Sequence, residues 1–246
     1  MAWRTVLGLA RLTAALAGLV ALVARFFYGL GFRTFNPIDY FAYLTVQSNI
    51  AAVVVGAIAG VHLLRGRAES ARFSAVRGSL TCFVIVAGIV FGLLAAQAPG
   101  QGYRLDVPWS DQVLHFFLPT YALLDWLVFP GRQRIGWRTL LWILAYPVVW
   151  GLLTVFRGRL VGWYPYFFLD PAQSGYPVSF LLYSAGALAL FAVVGTGLIG
   201  AAHTSPLAEQ ELRRPALDHG PTLLGRILLL LSRPPRKARA TPAPRR

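Results

Sequence analysis

The chain has 246 residues, 57% hydrophobic and only 13% charged, with a formal net charge of +14 and one cysteine. An average soluble domain carries about twice that share of charge, and a disordered basic chain would lack the seven Trp and sixteen Phe found here, so both classes are excluded. A lone Cys82 also excludes an intrachain disulfide framework, a CxxC redox motif and a thiolate zinc site. Arginine supplies 22 of the 23 basic residues, which reads as base-composition bias.

Apolar windows of about twenty residues mark six candidate membrane spans. They cover 5–28, 40–64, 79–98, 112–129, 139–156 and 178–202. The first outlasts a signal-peptide core of about 7 to 15 residues and lacks a clean cleavage site, so it reads as an anchor. Positively charged loops resist translocation, and the arginines alternate accordingly. Arg65, Arg67, Arg72 and Arg77 follow span two, and Arg132, Arg134 and Arg138 follow span four. With Arg4 and the basic tail they outnumber the opposite set of Arg33, Arg104, Arg157 and Arg159 by 17 to 4, while Arg11 and Arg25 lie within span one.

The expectation is therefore an all-α, polytopic membrane protein of the plasma membrane, with six spans over 1–203 and both termini cytoplasmic. The same bias accounts for the basic charge without nucleic acid as a partner. Residues 204–246 form a basic cytoplasmic tail. Its apolar run at 222–231 is too short to span and reads as an interfacial helix on an anionic leaflet; its Pro/Arg-rich end reads as disordered.

Polar groups inside a bilayer are costly and each calls for a partner or a function. In span two, Thr45, Ser48, Asn49, Ala52, Gly56 and Ala59 fall on one helical face. Helix packing through small residues explains such a face equally well. In span four, Ser110 or Asp111 can cap the helix and His115 lies one turn further on. Pro119 withdraws the hydrogen bond that residue 119 would give to the His115 carbonyl, so a kink is expected there. Asp125 is about 15 Å deeper, which suits pairing with a neighbouring span better than orienting His115. After span five, the aromatic run with Trp163, Tyr164 and Tyr166 is either an interface belt or a lid over an outer-leaflet pocket.

Thr45 and His115 share a depth in the outer leaflet if spans two and four run in the same direction. A hydroxyl is a weak nucleophile until a base takes its proton, and a neutral imidazole can do so. The other histidines, His62, His203 and His219, map to the cytoplasmic side, so no metal is expected and no cofactor is implied.

Tyr43-Leu44-Thr45, the Trp109 to His115 spacing followed by Pro119 and Asp125, and the stretch Trp163 to Leu169 together resemble the androgen-induced-gene family of multi-span proteins. Those are membrane threonine hydrolases of fatty acid esters of hydroxy fatty acids. The chain is more similar to their bacterial relatives, the six-span Pr-six-Pr membrane proteins, whose aromatic-Thr-x-Gln-Ser-Asn signature here reads Leu44-Thr45-Val46-Gln47-Ser48-Asn49. The resemblance implies Thr45 as nucleophile and His115 as its histidine.

The leading expectation is thus a lipid ester hydrolase among membrane lipids. His115 serves Thr45 as general base, Ser48 or Asn49 donates to the oxyanion, and Asp111 orients the imidazole. Trp109, Pro119, Trp163, Tyr164 and Tyr166 are candidate lid or substrate-binding residues. The rival is a non-catalytic membrane protein that binds lipid or a partner protein. A proton-coupled transporter using Asp125 and His115 is a third reading, against which stands the lack of an inverted repeat around a midplane site.

Overall fold

A computed structural model describes residues 2–97, 106–173 and 175–208, and every regular element among them is helical. The elements are α1 (Ala2–Leu30), α2 (Pro37–Ala42), α3 (Leu44–Leu64), α4 (Ala71–Gln97), α5 (Trp109–Gln112), a π turn (Val113–Phe117), α6 (Leu118–Val128), α7 (Thr139–Val161), a 3-10 turn (Phe167–Leu169) and α8 (Val178–Ala202). The apolar run at 222–231 lies outside the described residues.

Among the described residues, five helices are long and apolar enough to cross a membrane: Trp3–Leu30, Leu44–Leu64, Ala71–Gln97, Thr139–Val161 and Val178–Ala202. The segment expected as span four is helical but divided among α5, the π turn and α6, so no single piece reaches that length. The kink expected from Pro119 takes the form of this widened turn, in which the Leu118 N–H bonds the Val113 carbonyl. The second expected span splits as well. Asn36 caps α2 by accepting from the Ile38 N–H at 3.1 Å, Pro37 fills the first helical position, and the chain then turns at Tyr43 to start α3.

Helices α1 and α3 form the most extensive pair, and glycines let their backbones meet. A Cβ added to Gly60 would lie 2.9 Å from the Gly8 carbonyl oxygen, so neither position has room for a side chain. A second core joins α4, α6, α7 and α8 around Trp126, whose indole N–H donates to the Leu198 carbonyl at 3.0 Å.

The end that carries the N-terminus is closed by a ring of four buried charges. Arg11 Nε donates to Asp125 Oδ1 at 3.0 Å, and Arg11 Nη1 to Glu69 Oε1 at 3.2 Å. Arg77 Nη1 donates to Asp125 Oδ2 at 2.7 Å, and Arg77 Nε to Glu69 Oε2 at 3.2 Å. The ring is neutral and ties α1, α4, α6 and the α3–α4 loop together. Ser74 extends it, donating to Glu69 at 2.9 Å and accepting from the Gln133 N–H at 3.0 Å. Beside it, Arg132 Nη2 donates to the carbonyls of Ala201 and Thr204 at 2.8 and 3.2 Å, which fastens the α6–α7 loop to the end of α8.

These arginines revise the sequence reading, in which arginine abundance was compositional. Arg77 also extends α4 by two turns beyond the expected start, because its ion pairs remove the penalty that kept it out of the apolar window. Removing one carboxylate from the ring strands buried charge. Asp125→Leu is expected to cost about 3–5 kcal/mol, read as a lower melting temperature in detergent. Asp125→Leu combined with Arg11→Met leaves the neutral Arg77–Glu69 pair and should recover most of the loss; equal melting of single and double variants would contradict this account.

Candidate functional site

At the opposite end, a cavity of about 640 Å³ opens among α1, α2, α3, α4 and the π turn. Thr45 and His115 both line it, together with Arg25, Asn49, Asp111 and Tyr166. The two residues singled out by depth alone therefore face one space.

His115 is buried, and its ring stacks on Phe91 with centroids 3.9 Å apart and planes 11° from parallel. Its Nδ1 lies 3.0 Å from the backbone carbonyl of Asp111, four residues earlier. A carbonyl only accepts, so this bond places the ring proton on Nδ1 and leaves Nε2 with a lone pair, the form required of a general base. Asp111 meets the imidazole through its backbone carbonyl. Its carboxylate is 3.9 Å from Nδ1 and is held instead by Arg25 Nε at 2.9 Å.

The turn that carries His115 depends on two neighbours. Pro119 has no N–H for the His115 carbonyl. Over that carbonyl packs Gly88 of α4, where an added Cβ would lie 2.3 Å from the oxygen. Only glycine allows this approach.

Thr45 lies in the first turn of α3, where backbone N–H groups have no intrahelical partner. Its carbonyl accepts from Ser48 Oγ at 3.0 Å and from Asn49 Nδ2 at 2.8 Å. Ser48 is thus spent on the backbone, whereas the amide of Asn49 keeps one N–H, and its Oδ1 is buried without a hydrogen-bond partner. Asn49 lines the cavity and is 1% exposed. Tyr166 sits against Thr45: burial pushes its phenol up to about 12, and hydrogen bonding to the side chain and backbone of Thr45 opposes the rise. At neutral pH Tyr166 is a phenol and takes no part as a base.

The aromatic run after α7 folds over the cavity. Gly162 ends α7 at φ +71°, with its N–H on the Gly158 carbonyl at 2.8 Å, and this left-handed residue turns the chain back across α3. Trp163 and Tyr166 both meet Tyr43 edge to face, with centroids 5.6 and 5.7 Å apart. Trp150 pins α7 to α2 by donating to the Ala42 carbonyl at 3.0 Å, and Arg157 pairs with Asp39 there.

The other expected lid residues lie elsewhere. Trp109 is 55% exposed, Pro119 lies behind the π turn against Gly88, and Tyr164 packs its ring on Gly158. Sequence reasoning missed Arg25. Its signal was available, since Arg11 and Arg25 are the two arginines inside an apolar span, and each requires an acidic partner. Among the described residues, no group of three or more His, Cys, Asp or Glu could hold a metal ion.

No family model, curated protein or solved structure matches the chain. The fold and site define a helical protein whose apolar segments are compatible with a membrane protein.

Gly88→Ala should push α4 from the π turn and displace His115. Overpacking of this kind costs about 1–3 kcal/mol, so a lowered melting temperature is expected. An unchanged melting temperature would show that the turn can move freely.

Proposed function

We propose that the protein is a six-span plasma-membrane protein with both termini cytoplasmic, and that it hydrolyses fatty acid esters with Thr45 as nucleophile and His115 as general base. The remaining span of the six is the bent segment Trp109 to Val128, a reading supported by the alternation of the helix ends. The charged ring and the arginine-rich loops share one end, and the cavity lies at the other, as expected if the cavity faces the outer leaflet.

The observation that carries the catalytic reading is the cavity lined by both Thr45 and His115, whose Nδ1 is committed to a carbonyl and whose Nε2 is left with a lone pair. The proton of the Thr45 hydroxyl passes to Nε2 as its oxygen attacks the acyl carbonyl. His115 returns that proton to the departing alkoxide, then takes one from water to release the acyl chain. The remaining N–H of Asn49 is the candidate oxyanion donor. The resemblance to membrane threonine hydrolases supports the same residues.

One observation favours a non-catalytic lipid-binding protein: Ser48 and Asn49 both bond the Thr45 carbonyl, as packing residues would. An alkyl fluorophosphonate separates the two. Wild type in detergent should be labelled, Thr45→Ala should not, and His115→Ala should react about 10²–10⁴ times more slowly at an unchanged melting temperature. Unlabelled wild type, or equal labelling of all three, would favour lipid binding without hydrolysis.

A further inference from the structure

A second cavity, of about 390 Å³, lies between α7 and α8, the two least buried of the five long helices. Its walls are mainly aliphatic and aromatic, with Pro147, Val155, Phe180 and Leu188 among them. Thr45, Ala87, Val90 and Tyr166 line both this slot and the chamber that contains His115. Thr45 therefore stands at the junction of two spaces of different chemistry. On one side the slot is apolar apart from Ser184 and Arg159. On the other, the chamber presents the Arg25–Asp111 ion pair, Asn36, Asp39 and Asn49.

The two sides are not interchangeable. A leaving alkoxide must receive its proton from His115, and His115 lines the chamber but not the slot. The alcohol half of an ester at Thr45 must then lie in the chamber, which leaves the slot to the acid half. A volume of this size with apolar walls matches a single aliphatic chain. The charged and amide groups set among the chamber's otherwise largely aromatic and aliphatic walls favour an alcohol that can replace their hydrogen bonds to water.

We infer that the substrate is the ester of one long acyl chain with a small polar alcohol of the glycerol type, the chain lying between α7 and α8 and the alcohol beside His115. This rests on the hydrolase reading above. The Thr45 oxygen forms a bond to the acyl carbon, the acyl–alcohol bond breaks, and the alcohol leaves with the proton carried by Nε2. Water then splits the acyl-threonine to free fatty acid and restores the Thr45 hydroxyl. Gly151 of α7 lines the slot with nothing within 4 Å of an added Cβ, so a side chain can start there in open space beside the slot.

The test compares wild type, Gly151→Leu and Gly151→Phe on 1-palmitoylglycerol, 1-butyrylglycerol and cetyl palmitate. Wild type should prefer palmitoylglycerol to cetyl palmitate. The ratio of kcat/KM for the palmitoyl over the butyryl ester should fall in Gly151→Leu and fall further, by about tenfold or more, in Gly151→Phe. A ratio unchanged in both variants, or a wild-type preference for cetyl palmitate, overturns the inference. If wild type hydrolyses none of the three, the hydrolase reading fails and photolabelling with diazirine palmitic acid judges the slot by itself. Labelled peptides from α7 and α8 that disappear in Gly151→Phe keep the acyl slot; labels elsewhere remove it.

Discussion

The hydrogen bond between His115 Nδ1 and the Asp111 carbonyl decides what the cavity can do, because it chooses which ring nitrogen is bare. Several features of the sequence converge on that bond. Pro119 prevents a regular helix through His115, and the chain answers with a π turn. Gly88 lets α4 close over the same turn, and Phe91, one turn along α4, stacks on the imidazole. Arg25 holds the Asp111 side chain away from the ring, so the backbone carbonyl is the partner that remains. A reversed tautomer would put the proton on Nε2, which could then not accept one.

The molecule divides its stability and its openness between two ends. At one end four buried charges compensate one another and tie α1, α4, α6 and a loop together. A ring of this kind contributes little net energy over an apolar packing of equal volume, yet it cannot lose one member without stranding another. That makes it a fixed base. At the other end short elements, tight turns and aromatic edges enclose a cavity. The slot between α7 and α8 extends this open end sideways, towards the faces where Leu152 and Leu182 are each 69% exposed.

Much of the fold was legible from apolar periodicity and length. Span six was expected at 178–202 and α8 has those bounds, since nothing charged interrupts it. Where arginines sit in helices, the windows stopped short: α4 starts at Ala71 and α7 runs to Val161, because Arg77 and Arg157 are neutralised by acids remote in sequence. Such pairings across the chain leave no local signal. Thr45 and His115 were legible as costly polar residues at one depth, and both line one cavity together with Trp163 and Tyr166. What the sequence could not supply was direction. Asp111 was legible as a neighbour of His115, but the choice of its carbonyl over its carboxylate depends on Arg25, which reaches it from another helix.

Nitrogen-15 NMR of histidine-labelled protein in detergent tests the central claim most directly, with the His115 signals assigned by their loss in His115→Gln. The account predicts a proton on Nδ1 and a bare Nε2 at neutral pH. A protonated Nε2 with a bare Nδ1 would contradict it, since Nε2 could then take no proton from a hydroxyl.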